Sequence, residues 1–421
     1  MVIEVRRVLQ VNRKNLILLL GLAGFIVMAD NWVVSPILPA IAKSVGVPAA
    51  GAGVLIAAYM LPFGLFQLVF GPLADRFGKS RVIIGTLAAF SVATALLALG
   101  TTIPALASIR ALTGLFAAAT MPISLALIGD VVPMEKRQQA IGSFMGIAFL
   151  GQALSMGIGG AIAYFLDWRG VFLLYGAFAA VVTVVLWRSL GMAAEGETRN
   201  PKAPVLRPYL DLLRDGASLR TYLVIVFEGV FLLGSFSYLG TVLAERFQLS
   251  FVAIGGVMTA FGVAAVIAGR TSAAVASRLG RTRTIAAGIL LAALADGLVV
   301  AGAGSLWLTG VGIFLLGFGF MTAHSTLLTV ATEFARSARG AAMSLVTFAF
   351  MLGGAAGTQL GARIIGSSGS MTMYVAYGVG LLLLGLVTLP ALSAAAPELT
   401  PVPETARSHY PRIEWSVDRW L

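Results

Sequence analysis

Twelve long apolar runs alternate with short polar gaps along this chain. A helix needs about 20 apolar residues to cross a bilayer, and each run is close to that length. The pattern predicts spans at 16–38, 51–70, 82–100, 105–129, 141–165, 170–187, 221–243, 252–272, 284–303, 306–331, 341–364 and 371–392. Residues 188–220 are the longest polar stretch between spans and hold Pro201, Pro204 and Pro208. They predict a cytoplasmic linker joining an N-terminal six-helix bundle, 1–187, to a C-terminal one, 221–392. Residues 393–421, with Pro397, Pro401, Pro403 and Pro411, predict a mostly disordered cytoplasmic tail. Trp415 and Trp420 leave open a tail end that rests on the membrane.

Composition names the solvent. The chain is 58% hydrophobic and 11% charged, whereas a soluble domain carries roughly 25% charged residues. No globule in water could cover so much apolar surface, so the partner is the lipid bilayer and the fold an all-α, multi-pass membrane fold. Forty-nine glycines suit close helix approach. There is no cysteine, and His324 and His409 are too few for a histidine metal centre. No metal or cofactor is expected.

The net charge of +11 does not form a nucleic-acid surface, because the basic residues sit in short loops. With the N-terminus inside, all but five of the 29 lysines and arginines fall on the cytoplasmic side. The exceptions are Lys43, Arg169, Arg246 and Arg363 outside and Arg110 within a span. The positive-inside rule therefore places both termini in the cytoplasm. The expected location is the inner (cytoplasmic) membrane, as a monomer.

A shift of about 202 residues superposes the halves in sequence, an internal repeat of the kind transporters use. Arg76-Phe77-Gly78-Lys79 meets Arg278-Leu279-Gly280-Arg281, Arg137 meets Arg339, Gly151 meets Gly353 and Gly159 meets Gly361.

The loop Gly71-Pro72-Leu73-Ala74-Asp75-Arg76-Phe77-Gly78-Lys79 resembles the motif between the second and third helices of the major facilitator superfamily. The resemblance runs over nearly the full length and implies two pseudo-symmetric six-helix bundles with the substrate site between them. It also implies a latch. Asp75 would face the N-terminus of the eleventh helix, near Gly340, where unpaired N–H groups favour an anion. Arg76 and Lys79 could tie it to Asp130. Ser277 stands at the equivalent of Asp75, so the latch should be asymmetric. The alternative is a solvated basic loop.

Charges inside spans cost roughly 2.5–3.5 kcal/mol each on insertion scales, so each asks for a reason. Asp30 and Arg110 both lie in the outer half of their spans and could pair. The resemblance implies that spans 1 and 4 line the cavity. Arg110-x-x-x-Gly114 resembles a helix-four motif of 12-helix drug/proton antiporters, with Thr113 in the usual glutamine position. Proton coupling, a permanent structural pair and no contact at all remain open. Glu228 and His324, on spans 7 and 10, could form a second protonatable pair, since histidine titrates near neutrality. Alternatively Glu228 reaches the interface and His324 bonds a carbonyl. Asp296, mid-span in span 9, has no expected role beyond structure. Gly142, Gly151, Gly159 and Gly160 keep antiporter spacing in span 5, but Ser155 and Met156 replace that motif's inner Gly-Pro.

Asn31, Trp32, Met121, Phe227, Phe231, Tyr238, Met321 and Thr322 are the expected cavity residues. They offer few fixed polar groups, which suits lipophilic or amphipathic small molecules better than sugars. The leading expectation is a proton-coupled exporter working by alternating access. A metabolite carrier for an organic acid, sugar or lysolipid is the alternative, and a transport-dead receptor or membrane enzyme a more distant one. No catalytic triad, carboxylate pair or phosphate loop argues for an enzyme.

Overall fold

The computed structural model describes residues 13–190, 207–302, 304–334 and 339–393. Residues 191–206 of the expected linker and 394–421 of the expected tail, with Trp415 and Trp420, lie outside them. Among the described residues, twelve helical spans are long and apolar enough to cross a membrane. They are Asn15–Trp32, Ala49–Ala74, Lys79–Leu99, Ile103–Val131, Ala140–Phe165, Trp168–Leu190, Gly216–Phe247, Phe251–Leu279, Arg281–Ala301, Leu306–Ala331, Gly340–Ser368 and Ser370–Leu392, numbered 1 to 12 below. This is the all-helical, two-times-six architecture expected of the repeat. Span 7 starts at Gly216, ahead of the expected 221, because Asp215 caps it: Ser218 N–H donates to Asp215 Oδ2 at 2.8 Å.

The repeat is visible in the turns. Gly78 and Gly280 join spans 2–3 and 8–9 with φ of 97° and 81°. A side chain is strained at such a φ, which explains both glycines. The repeated glycines inside the spans also do the same work. Gly151 packs span 5 against the backbone of span 1 at Phe25, and Gly353 packs span 11 against span 7 at Val226.

The two halves close at one end and part at the other. Gly142, Gly146, Ala153, Gly157 and Gly160 lie on one face of span 5 at about 100° per residue. At the end far from the linker this face meets span 8: Gly157 and Gly160 lie against Gly255 and Phe251, and Ala153 against Gly262. At the linker end, a Cβ on Gly142 or Gly146 would meet nothing within 4 Å. The same holds for Gly71 and Gly340 on spans 2 and 11, whereas Gly64 packs against Phe348 and Met351. Among the described residues, the two halves thus stand further apart at the linker end than at the far end.

Candidate functional site

Asp30 sits near the end of helix Arg13–Trp32, just before Val33, which separates it from the following helix Val34–Val45. Arg110 reaches it from helix Ile103–Ala117 of span 4. Arg110 Nη1 donates to Asp30 Oδ2 at 2.7 Å, and Nη2 donates to the Asp30 carbonyl at 3.3 Å. The guanidinium lies 4.2 Å above the Tyr59 ring of span 2, a cation–π contact. Gly114 makes this possible: a Cβ there would strike the Tyr59 backbone, so only glycine lets span 4 approach. Both charges are buried, with side chains 2% and 0% exposed. Asp30 Oδ1 and Arg110 Nε have no partner among the described residues. Removing either member would strand the other, a loss of about 3–5 kcal/mol.

Glu228 ends helix Gly216–Glu228, immediately before a π-helical turn, Gly229–Leu233. Such turns are rare and collect at functional sites. Glycines admit the widened turn beside span 11: Gly229 lies against Phe350 and Gly354, and Gly357 against Val230. His324 Nδ1 of span 10 lies 3.1 Å from Glu228 Oε2. Glu228 is fully buried, while the imidazole keeps 13% exposure. The imidazole is the accessible partner of the pair. Its ring packs 4.3 Å from Phe350 and 5.3 Å from Phe320.

A chain of aromatic rings runs from Trp32, two residues after Asp30, to His324. Trp32 meets Phe236 at 4.7 Å, Phe261 at 5.4 Å and Phe320 at 5.9 Å. Phe320 continues to His324. Beside Trp32, Asn31, Ser35, Ile56, Met60, Leu233, Phe236 and Met351 enclose a cavity of about 10 Å³ between the halves, room for about one water.

The other expected cavity residues separate into two groups. Tyr238 is buried at a break in span 7 and donates to the Thr358 carbonyl at 2.8 Å. Met321 and Thr322 are buried on span 10, and Met121 is half-buried on span 4. Phe227 and Phe231 require correction. One helical step turns a side chain by about 100°, so Glu228 pointing inward sends Phe227 outward, where it is 47% exposed. Phe231 packs on Tyr377 and Gly380 of span 12 instead of the aromatic chain.

At the loop between spans 2 and 3, Lys79 Nζ and Asp130 Oδ2 form an ion pair of 2.6 Å. Asp130 is 57% exposed, so the pair adds at most about 1 kcal/mol. Arg76 is exposed and lies over the neighbouring Phe77 ring. The backbone of Asp75 is helical, and its side chain lies outside the described residues. In the second copy, Ser277 turns back on its own helix and donates to the Ala274 carbonyl at 2.8 Å.

Two features, Ser35 and Tyr59, had no signal in the sequence, while Asp296 was expected only to be structural. Ser35 Oγ donates to the Phe236 and Ser237 carbonyls across the halves. Tyr59 lies under Arg110. Asp296 Oδ2 accepts from Ser235 Oγ at 2.7 Å, and Tyr374 donates to the Ser235 carbonyl at 2.9 Å. Asp296 thus anchors span 7 from span 9.

Residues 20–358 and 234–417 match the family model of the Major Facilitator Superfamily. An uncharacterized MFS-type transporter, YceJ of Bacillus subtilis, is 29% identical over 80% of this chain and 85% of its own. Two partial matches have stated roles. Citrate exporter 1 of Aspergillus niger is 30% identical over 38% of this chain and 30% of its own. Puromycin resistance protein pur8 of Streptomyces alboniger is 33% identical over 35% and 29%. In structure, the peptide transporter POT in complex with alafosfalin superposes with a TM-score of 0.75 at 17% identity, covering 90% of this chain and 94% of that one. With the family model covering most of the chain and the twelve spans in two halves, this protein is a multi-pass membrane transporter of the major facilitator superfamily, a family that binds small-molecule substrates.

Proposed function

We propose that the protein exports small lipophilic or amphipathic compounds in exchange for protons, by alternating access, as a monomer in the inner membrane. Both termini and the linker end face the cytoplasm in this reading, following the loop charges. The division at residues 188–220 and the tail 393–421 belong to the same proposal. The observation that carries it is the buried Asp30–Arg110 pair, two residues along the chain from Trp32, which lines the mostly apolar space between the halves. A carboxylate there changes the charge of the site when it takes a proton, and Arg110 sets how readily it does so. Glu228–His324 offers a second exchange point nearer the open end. The latch of Gly71, Asp75, Arg76, Gly78, Lys79 and Asp130 would act when that end closes.

The partial likeness to a citrate exporter favours an organic-acid carrier as the second reading. Against it, Arg110 already holds Asp30, which leaves no free buried cation there for a carboxylate substrate. Proteoliposomes with an imposed pH gradient decide between them. Lipophilic dyes moving against the gradient, with citrate inert, support the proposal. Citrate movement alone, or no response to the gradient, overturns it.

A further inference from the structure

The short helix Arg207–Arg214 precedes span 7 and has three distinct faces. At about 100° per residue, Leu212 and Tyr209 share one face, and it is turned to the protein: Leu212 is buried and Tyr209 half-buried. Next around the helix come Leu213 and Leu210, 41% and 50% exposed. Beyond them lie Arg214, Arg207 and Asp211, all exposed. Arg207 and Asp211 approach to 3.9 Å, an exposed contact that leaves the edge basic. Arg220, exposed one turn into span 7, adds to it and donates to the Gly216 carbonyl.

The apolar strip does not stop at the helix end. Leu219, Leu223 and Phe227 of span 7 are 39%, 48% and 47% exposed. At about 100° per residue they share one face of a span long and apolar enough to cross a membrane. Leucines beside the hydrocarbon edge with arginines beside them at headgroup level are what an interfacial helix presents to a bilayer.

The inward face reaches both halves. Tyr209 donates to the Leu68 carbonyl of span 2 at 3.1 Å, and its hydroxyl stands near enough to the Ser344 side chain of span 11 to be influenced by it. Burial pushes the Tyr209 phenol above its ordinary value, with the Ser344 side chain acting the other way. The hydroxyl therefore stays a neutral donor across the physiological range.

We infer that this helix is a membrane-interface strap that docks on anionic phospholipid and, through Tyr209, holds spans 2 and 11 in the arrangement that is open at the linker end. Leu210 and Leu213 enter the acyl boundary, while Arg207 and Arg214 meet the headgroups. Each arginine near an anionic surface contributes about fivefold in affinity. The strap makes the balance between open and closed states depend on leaflet charge.

The chain has no cysteine, so single labels are clean. A fluorophore on Leu213→Cys or Asp211→Cys is read in vesicles of phosphatidylcholine with phosphatidylglycerol. Brominated lipid should quench the label at 213 and iodide the label at 211. Equal quenching at both sites, or a 213 label shielded from both quenchers as a covering protein would shield it, overturns the proposal. Association of spin-labelled phosphatidylglycerol over phosphatidylcholine should fall about 25-fold in Arg207→Gln/Arg214→Gln and survive in the matching double lysine variant. An unchanged preference in the glutamine variant refutes the charge contact. Tyr209→Phe should keep lipid binding but lose the shift toward the open state that phosphatidylglycerol produces; a shift of normal size in that variant removes Tyr209 from the account.

Discussion

Ser35 and Ser237, 202 positions apart and thus counterparts in the repeat, meet across the halves: Ser35 Oγ donates to the Ser237 carbonyl at 3.1 Å and to the Phe236 carbonyl at 2.7 Å. The contact closes the far end, where Tyr238 interrupts span 7. Alternating access must break it. Ser35→Ala loses about 1 kcal/mol of hydrogen bonding, or about fivefold in the balance between states. Spin labels on Lys43→Cys and Glu245→Cys, both exposed at that end, should show a larger far-open population. An unchanged distance distribution would make the contact incidental.

The face of span 5 carries a second test. Gly146 stands in open space, while Gly160 lies against Phe251. Closure at the linker end must bring a neighbour to Gly146. Gly146→Leu should therefore fold normally and remain open at the linker end, with transport lost. Gly160→Leu should fail to fold stably. Normal transport by Gly146→Leu would contradict the closing motion.

Asp296 anchors span 7 through Ser235, with a hydrogen bond of 2.7 Å. Asp296→Ala leaves that hydroxyl unpaired in the core and should cost about 1–3 kcal/mol, read as a lower melting temperature in detergent. Asp296→Asn retains a bonding group and should keep both stability and coupling. Loss of coupling in the asparagine variant would give Asp296 a titrating role.

His324 is the more exposed member of its pair and lies in the linker-end half of span 10. His324→Gln should change the pH dependence of transport on the linker-end face alone. Proteoliposomes with the pH of each face varied separately supply the measurement. An unchanged profile on that face would reduce the pair to a packing element.

Much of the site was legible because charge in hydrocarbon demands a partner. Asp30 had Arg110 at a compatible depth, and Glu228 had His324. The repeat and its turns were legible because Gly78 and Gly280 must adopt a positive φ. Aromatic residues carried no such constraint. Phe320 and Phe350 join the ring chain while Phe227 faces outward, and nothing in an all-apolar run tells these orientations apart. The π turn at Gly229–Leu233 has no sequence signature, so the side-chain directions after Glu228 could not be assigned. Ser35 read as one small residue among many, because its partners are backbone carbonyls of the other half.

In the proposed exchange, Asp30 carries the coupling proton. Asp30→Asn keeps the side-chain shape beside Arg110 but cannot titrate. The direct measurement is substrate flux and internal pH recorded together in proteoliposomes of the variant under an imposed pH gradient. The variant should still fold in the membrane and bind substrate, with a lower melting temperature because Arg110 loses its counter-charge, yet move neither substrate nor protons in response to the gradient. Substrate flux at the wild-type rate, accompanied by proton movement, would contradict it.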